Sequence, residues 1–441
     1  MPSLLLKEVE GSGGAGLSIG DYVQTERTEL EDGRVLLPVK GQLITSTYPL
    51  LEAELPDRRT LTSYSTVAKP FNISIYKHGF CSKADGTKSW AADDTNGQVF
   101  EIDNTLQTST LIYTPAVVSH SLTAQCSNDG TKLYFLDVDD SVSQDIFTLH
   151  YSHDSGSTWS TVVIYDAVDS INYGAARIEC SEDGVTVKIM LSATSTSSFE
   201  RNFIRVFSSS DSGVTFTTTA EQNLGTSVYT SKDFCISKDL TTLGLRLATG
   251  ARWLSTDGGS TFTEETKELL GPSVLVATGS LTAISSDGST IISCPITSNL
   301  KTINISTDGM STWTTLELEI SDDYLNAIQC LLSDPTDPNV FYILQSAGNT
   351  ATAISVYDDL YKLDVSTGTL EYISNIPKPI INSIGTEPVL HQVSKAYVNG
   401  SDILLSFADY YKRGYSFNLT LSKGKYLPIL DSRYKIVTDA P

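Results

Sequence analysis

The sequence predicts an all-β fold built from a repeated unit, and three observations predict it. Short β-rich runs alternate with Asp-Gly and Ser-Asp turns along most of the 441 residues. Hydrophobic residues make up 40% and charged residues only 19%, while 30 glycines are spread along the chain, as many short strands and tight turns require. The turns also recur at a nearly constant interval, which indicates one repeat architecture.

The first repeated motif reads Ser-x-Asp-x-Gly-x-Thr followed by an aromatic residue. Its Asp can accept hydrogen bonds from turn amides, Gly supplies a positive φ, and the aromatic ring packs beneath the hairpin. In the fourth copy Met310 replaces the expected glycine, so we expect that turn to adjust its backbone through Gly309. The motif positions are Asp154, Gly156, Trp159, Asp211, Gly213, Phe216, Asp257, Gly259, Phe262, Asp308 and Trp313.

A second series of turns lies between the copies of the first, mostly as Asp-Gly, and its aspartates are Asp85, Asp129, Asp183, Asp239 and Asp287. They are 44, 54, 56 and 48 residues apart, and the aspartates of the first motif are 57, 46 and 51 residues apart. Both series share a period of about 50 residues, the scale of a four-stranded propeller blade.

Extending the period predicts a seven-bladed β-propeller over residues 63–441. The units are 71–114, 115–167, 168–222, 223–270, 271–320, 321–380 and 381–430. The last two lack the motif but keep turn residues at Asp364–Gly368, Asn399-Gly400 and Lys423-Gly424. Six or eight blades remain alternatives. A propeller must hide its sheet edges, so we expect a closing strand from Tyr434–Val437 or from the stretch near Tyr64–Ala68.

The N-terminal region differs in kind from the repeats. Residues 1–19 include a glycine-rich stretch at 11–16 and are expected to form a flexible arm. Residues 20–62 read as strands leading to Gly41 and then to Tyr48-Pro49. This segment resembles the collar-type module of bacteriophage tail fibres, although Val39-Lys40-Gly41 stands where that family often has Cys-Asp-Gly. The alternative is another small β-rich cap.

The collar resemblance implies attachment to a virion through Gly41, Tyr48 and Pro49. The first motif is similar to the Asp-box, or BNR repeat, of sialidase-like and other propellers. A sialidase needs an arginine cluster, a Tyr nucleophile with a carboxylate base, and an acid. The Arg-Ile-Pro tripeptide of that family is absent. Arg177, Arg205, Arg246 and Arg252 fall in predicted strands of blades three and four, which is the wrong distribution for a clamp at the ring centre.

Other chemistries also lack their residues. The five histidines show no ligand spacing, so no metal site is expected. No phosphate-binding loop follows a strand and opens a helix, so no cofactor is expected. Five of the six cysteines recur at one place in the repeats, and we interpret them as buried apolar residues rather than as disulfides. The sequence therefore predicts no catalytic residues and no enzyme activity.

The formal net charge of −22 argues against binding to nucleic acid or to anionic lipid. No apolar run is long enough to insert into a membrane, and the first residues lack the pattern of a secretory signal. We therefore expect synthesis in the host cytoplasm, and the collar resemblance implies a place in the virion.

The first functional hypothesis is a structural protein of a tailed bacteriophage, in which the propeller serves assembly or host-surface recognition. Its expected partners are other tail proteins, a host-surface glycan or protein, and further copies of the chain in a homo-oligomer. The alternatives are a glycan-binding or glycan-hydrolysing propeller and an intracellular scaffold. Tyr410, Tyr411 and Arg413 combine stacking faces with donors and are the candidate ligand-face residues.

Overall fold

The computed structural model describes the chain in separate stretches. They are residues 7–8, 22–24, 35–38, 58–68, 79–93, 97–106, 108–116, 120–139, 146–166, 171–195, 202–219, 221–225, 231–247, 252–265, 282–294, 302–317, 327–346, 357–377, 391–409, 415–424 and 434–438.

All regular elements in these stretches are strands. Before the first blade come β1 (Lys7–Glu8), β2 (Tyr22–Gln24), β3 (Val35–Pro38) and β4 (Arg58–Ala68). Blade one has β5 (Phe80–Ser82), β6 (Lys88–Ala92), β7 (Val99–Asp103) and β8 (Thr108–Tyr113). Blade two has β9 (His120–Cys126), β10 (Leu133–Asp139), β11 (Ile146–Ser152) and β12 (Ser160–Asp166). Blade three has β13 (Ile171–Cys180), β14 (Val187–Ser195), β15 (Asn202–Ser209), β16 (Thr217–Thr218) and β17 (Gln222–Gly225).

The remaining blades repeat this order. Blade four has β18 (Ser231–Ile236), β19 (Leu243–Leu247), β20 (Arg252–Ser255) and β21 (Thr263–Glu265). Blade five has β22 (Thr282–Ile284), β23 (Ile291–Ser293), β24 (Thr302–Ser306) and β25 (Thr314–Glu317). Blade six has β26 (Ala327–Ser333), β27 (Val340–Ser346), β28 (Tyr357–Asp364) and β29 (Thr369–Pro377). Last come β30 (His391–Asn399), β31 (Asp402–Asp409), β32 (Tyr415–Gly424) and β33 (Tyr434–Thr438).

The seven sheets form a closed ring of blades, as the period predicts. Within each blade, strands that follow one another in the chain pair antiparallel, except that β16 and β17 of blade three both pair with β15. The first strand of each blade contacts the first strand of the next from β5 round to β30, and β5 also contacts β31 of blade seven. The chain therefore folds as an all-β, seven-bladed propeller. No helix occurs in the stretches given above.

Blade seven takes its fourth strand from the N-terminal side of the chain. Strand β4 pairs antiparallel with β32, with Ala68 opposite Tyr415 and Arg58 opposite Gly424. Of the two expected closing strands, the one that contains Tyr64–Ala68 closes the ring. The turn expected at Lys423-Gly424 is wrong, since both residues lie in β32 and pair with β4. No turn is needed there because the fourth strand does not follow β32 in the chain.

A separate small sheet joins the two ends of the chain in the order β1-β2-β33-β3. Strand β33 lies antiparallel between β2 and β3, with Tyr22 and Leu37 both opposite Ile436. Tyr434–Val437 is thus in this sheet, and the closing strand begins at Arg58, before the expected domain boundary at residue 63. Lys7–Glu8 of the expected flexible arm form β1, whereas the glycine-rich stretch at 11–16 and Gly41, Tyr48 and Pro49 lie outside the described residues.

The core lies between neighbouring blades. One cluster packs Tyr134 and Phe147 of blade two against Ile178 and Val187 of blade three, all buried. Equivalent clusters join blades three and four, four and five, five and six, and six and seven. Each fully buried side chain of this size stabilises the fold by about 1.5–3 kcal/mol. Radial stacking of the sheets therefore supplies the apolar burial that a single blade cannot.

The two repeated turn series lie on one face of the ring, which we call the turn face. The inner turns join the first and second strands of blades one to five, and the outer turns join the third and fourth strands of blades two to five. Ser155 of an outer turn donates its amide to Thr131 of the inner turn in the same blade, at 2.9 Å. Asn128 donates to the Glu182 carbonyl of the next blade, at 2.8 Å. These turns therefore couple neighbouring blades.

Candidate binding site on the ring axis

A cavity of about 80 Å³ lies on the ring axis, at the ends of the first strands where they enter the inner turns. Residues of β9, β13, β18, β22, β26 and β30 line it, together with Lys238 of an inner turn. Since one water needs about 10–15 Å³ of such space, the cavity has room for several waters or a small ion.

Glu179 is the only carboxylate among the described residues that line this cavity. Its Oε1 accepts from Arg177 Nη2 at 2.8 Å and from Arg177 Nε at 3.0 Å, and its Oε2 accepts from Gln125 Nε2 at 2.5 Å. Burial alone would raise the pKa of Glu179, but the positive charges of Lys395, Arg177 and Lys238 hold that pKa below its ordinary value. Glu179 is therefore an ionised, fully engaged acceptor at neutral pH.

Lys395 brings a second positive charge to the axis from blade seven. Its side chain is 6% exposed, and its ammonium donates to the Ala124 carbonyl oxygen of blade two. Burial lowers the pKa of Lys395, although the charge of Glu179 works against that shift. Nearby, Tyr397 accepts a hydrogen bond from the Ser82 amide at 3.0 Å. The first strands of blades one, two and seven are thus tied together around Lys395.

The lining carries more positive than negative charge. Arg177, Lys238 and Lys395 are cationic, whereas only Glu179 among the described lining residues is anionic. Thr282, which also lines the cavity, is 5% exposed, and its hydroxyl has no hydrogen-bond partner among the described residues. A partly open, cationic cavity whose lining includes an unpaired hydroxyl can hold a small anion.

Strand periodicity explains how blade three supplies two of these groups. Side chains alternate across a strand, so Arg177 and Glu179 share one face of β13 while Ile178 and Cys180 share the other. Ile178 and Cys180 are buried in the cluster between blades two and three. Arg177 therefore lies at the ring axis, because β13 is an innermost strand, and it is the only arginine among the described residues that line the cavity. The Arg-x-Glu alternation within an apolar first strand is the sequence signal that could have found it.

Two other arginines of the sialidase comparison lie between blades. Arg205 donates to Glu221 Oε2 at 2.8 Å and stacks 4.6 Å from the centre of the Tyr165 ring. Arg252 is fully buried, donates to Ser293 Oγ at 2.7 Å and lies 4.2 Å from the centre of the Trp313 ring. Both arginines therefore pack neighbouring strands and blades together, away from the axis.

The motif aspartates form the outer turns. Asp154 accepts from the Thr158 amide at 2.8 Å, from Thr158 Oγ1 at 2.7 Å and from Ser152 Oγ at 2.8 Å. The same three bonds recur at Asp211, Asp257 and Asp308. Bonds from the Thr158 hydroxyl and amide lower the pKa of Asp154 to about 2. These carboxylates are acceptors within their own hairpins.

The aromatic residues of the motif pack under these hairpins. Trp159 donates Nε1–H to the Gly156 carbonyl at 2.9 Å and stacks on Tyr113 of blade one, with ring centres 4.6 Å apart. Phe262 is 8% exposed and packs between blades three and four. Phe216 and Trp313 pack partly buried against the clusters between blades two and three and between blades four and five.

Met310 does not alter its turn, contrary to the expectation from the sequence. Its φ is 67° and that of Gly309 is 69°, so two left-handed residues follow each other, as Ser155 and Gly156 do in blade two. The Met310 amide donates to Ser306 Oγ at 2.9 Å, as the Gly156 amide does to Ser152 Oγ at 2.8 Å. Met310 thus adopts a left-handed backbone conformation that is strained for a non-glycine residue, and its side chain is buried between blades four and five.

The remaining candidates divide into confirmed and untested. Four of the five recurring cysteines, Cys81, Cys126, Cys180 and Cys235, are free and buried, as is Cys294, which confirms their interpretation as apolar core residues; the side chain of the fifth, Cys330, lies outside the described residues. Tyr410, Tyr411 and Arg413 lie outside the described residues.

Within the described stretches, no group of three His, Cys, Asp or Glu residues could hold a metal ion. The same stretches contain no helix that is long and apolar enough to cross a membrane.

Comparison with known proteins supports the fold. No protein family matches the sequence, and no curated protein matches it. A chain in the "Crystal Structure of Mitotic Checkpoint Complex" is similar, with 11% identity, a TM-score of 0.51, and coverage of 83% of this chain and 93% of that one. A chain in "YCF48 bound to D1 peptide" is similar at 12% identity and a TM-score of 0.50, covering 83% and 99%. At such low identity these likenesses show a shared seven-bladed β-propeller fold.

Proposed function

We propose that this chain is a non-enzymatic structural and binding protein of a tailed-bacteriophage virion. It is a tail or fibre component that attaches through its N-terminal module and presents the propeller for assembly or host-surface recognition. The small sheet carries this proposal, because it gathers β1, β2 and β3 around the C-terminal β33 in an element distinct from the seven blades. The collar-like Tyr48-Pro49 and Gly41, which follow β3, and the Asp-box-like outer turns support the same assignment.

The state of Glu179 favours binding over hydrolysis at the axis. A glycosidase of the usual kind needs one carboxyl group that can donate a proton and a second carboxylate as base or nucleophile. Glu179 has both oxygens occupied by Arg177 and Gln125, and its pKa lies below the ordinary value, so it is a poor proton donor. One of the similar propellers is described as bound to a peptide, which is a use of the same fold in binding.

The decisive experiment locates the chain in a particle. Antibody labelling and electron microscopy of phage particles purified from cells that produce this chain should place it at the tail. The purified full chain should form a symmetric homo-oligomer by native mass spectrometry, and a variant without residues 1–57 should be monomeric. Absence of the chain from the particles, or a monomeric full chain, would contradict the proposal.

A glycan-binding propeller is the second candidate, favoured by the cationic axial cavity. An assay with a fluorogenic sialoside distinguishes a propeller that only binds glycans from one that hydrolyses them. We expect no cleavage above background, and turnover that is lost in a Glu179→Gln variant would establish the hydrolytic form.

A further inference from the structure

We infer that the axial cavity is a binding site for a carboxylate group of a small ligand. Arg177 and Glu179 compensate each other's charge through two hydrogen bonds. Lys395 and Lys238 then leave the described lining with two positive charges in excess, inside a chain whose formal net charge is −22. This inference names a ligand class for the binding role proposed above and does not depend on the virion assignment.

The excess charge is costly unless an anion offsets it. Lys395 is 6% exposed and donates to a carbonyl oxygen, Ala124 O, so the carboxylate that acts on its charge is Glu179, whose oxygens already accept from Arg177 and Gln125. An isolated buried cation loses most of its hydration, whereas a charge-assisted hydrogen bond to a carboxylate restores it. A bound carboxylate would therefore offset the excess positive charge of the cavity.

Thr282 provides an independent sign of a missing ligand. A buried hydroxyl without a partner costs about 1–3 kcal/mol, and such groups are uncommon in native proteins. Thr282 lines this cavity from blade five, and its Oγ1 is buried and lacks a partner among the described residues. Turned towards the cavity, that hydroxyl would donate to a carboxylate oxygen.

The volume limits what can enter. Drug-sized ligands need about 300–1,000 Å³, whereas this cavity is about 80 Å³. A carboxylate head fits such a space, while the body of a sugar acid or of an amino acid would remain at the mouth. The structure thus favours capture of one acidic group over enclosure of a whole ligand.

The test compares acetate with acetamide, its neutral counterpart of the same size. Isothermal titration of the purified full chain at constant ionic strength should detect saturable binding of acetate and none of acetamide. Lys238→Gln should weaken acetate binding about tenfold, and Thr282→Val should weaken it about threefold to tenfold. Lys362→Gln, at a lysine of β28 that is outside the cavity lining, is the control and should bind as the wild type does.

Thr282→Val also separates binding from misfolding. Because it removes an unpaired buried hydroxyl at almost constant volume, it should raise the melting temperature of the ligand-free chain while lowering acetate affinity. Equal binding of acetate and acetamide, or undiminished acetate binding in Lys238→Gln, would overturn the inference. Titrations with glucuronate and with N-acetylglutamate amide distinguish a sugar acid from an acidic amino acid as the ligand. The compound that binds more tightly than acetate identifies which class the site recognises. Failure here leaves the particle experiment unaffected, and the converse also holds.

Discussion

At the residue scale, Met310 sets two effects against each other. A non-glycine residue in the left-handed region costs roughly 1–2 kcal/mol, which Met310→Gly would remove. The Met310 side chain is 1% exposed between blades four and five, and truncating such a side chain costs about 2–5 kcal/mol. The lost packing outweighs the relieved strain, so we expect Met310→Gly to lower the free energy of unfolding by about 1–3 kcal/mol in urea titrations.

Ser155 is the matched control for that experiment. It has a φ of 59° in the outer turn of blade two but carries no large buried side chain. Ser155→Gly should therefore leave the stability unchanged or raise it slightly. Stabilisation by Met310→Gly would mean that backbone strain, not packing, dominates at that turn.

Gly259 is expected to be the least replaceable of the motif glycines. Its φ is +94°, and an added Cβ would lie 2.7–2.9 Å from the side chain of Val206, a buried β-branched residue with little freedom to move. We expect Gly259→Ala to lower the free energy of unfolding by about 2–4 kcal/mol, by strain plus overpacking.

The control for this variant is Gly368→Ala. Gly368 has a φ of +65° with nothing within 4 Å of an added Cβ, so only the strain of about 1 kcal/mol should appear. Equal losses in the two variants, measured by urea denaturation, would show that contact with Val206 is unimportant.

At the element scale, β4 should decide whether the ring closes. Chains that begin at residue 58 and at residue 69 both lack the N-terminal part of the small sheet, and they differ only by the presence of β4. Without it, β32 becomes an exposed edge and Leu61 no longer packs against the cluster between blades six and seven. We expect the longer chain to melt cooperatively near the full-length temperature and the shorter chain to melt several degrees lower.

Limited proteolysis provides the second readout for the pair. Cleavage in the shorter chain should start in blade seven, whereas the longer chain should resist it. Identical melting and cleavage of the two chains would mean that the ring does not need this strand.

The outer turns should make the propeller sensitive to acid. The backbone amide of Thr261 is the largest influence on Asp257 and helps to hold its pKa at about 2, below the ordinary value of 3.8. A carboxylate whose pKa is depressed in the folded state stabilises the fold above about pH 3.8, and this contribution is lost as the pH falls through about 2. Asp154 and Asp211 act alike.

Asp257→Asn tests this assignment. The difference in unfolding free energy between the wild type and the variant should be largest above about pH 5 and should shrink towards about pH 2. A difference that stays constant with pH would show that the carboxylate charge contributes nothing to the turn.

At the scale of the whole molecule, the ring could be predicted from local chemistry alone. Each Asp-Gly or Ser-x-Asp-x-Gly turn is specified by residues a few positions apart, so its period is visible in the sequence. The sequence limited the strand that closes the ring to two candidates but did not decide between them. The reason is that the closing pair joins segments more than 300 residues apart, Arg58–Ala68 and Tyr415–Gly424. Either candidate had the β-rich composition that such pairing needs.

The axial site could not be predicted because no local pattern assembles it. Gln125, Arg177, Thr282 and Lys395 come from four blades and meet only after the ring has closed. Each one alone resembles an ordinary strand residue. The period predicts a strand of blade three at Arg177, but it does not by itself indicate that Arg177 faces the ring axis.

The net charge of the whole chain predicts how the melting temperature responds to salt. With a net charge of −22, repulsion among surface carboxylates opposes the compact ring, and the surface ion pairs in the described residues, such as Lys83–Asp85 and Lys88–Glu101, are partly exposed and weak. Raising the salt from about 20 mM to about 300 mM shortens the screening length from roughly 20 Å to below 10 Å, which weakens repulsion between distant charges more than contact pairs. We therefore expect calorimetry to show a melting temperature that rises by a few degrees with NaCl. A fall would mean that local ion pairs, rather than net repulsion, dominate the electrostatics of the propeller. Acetate binding at the axis should weaken over the same range, because screening also reduces the attraction of Lys238 and Lys395 for an anion.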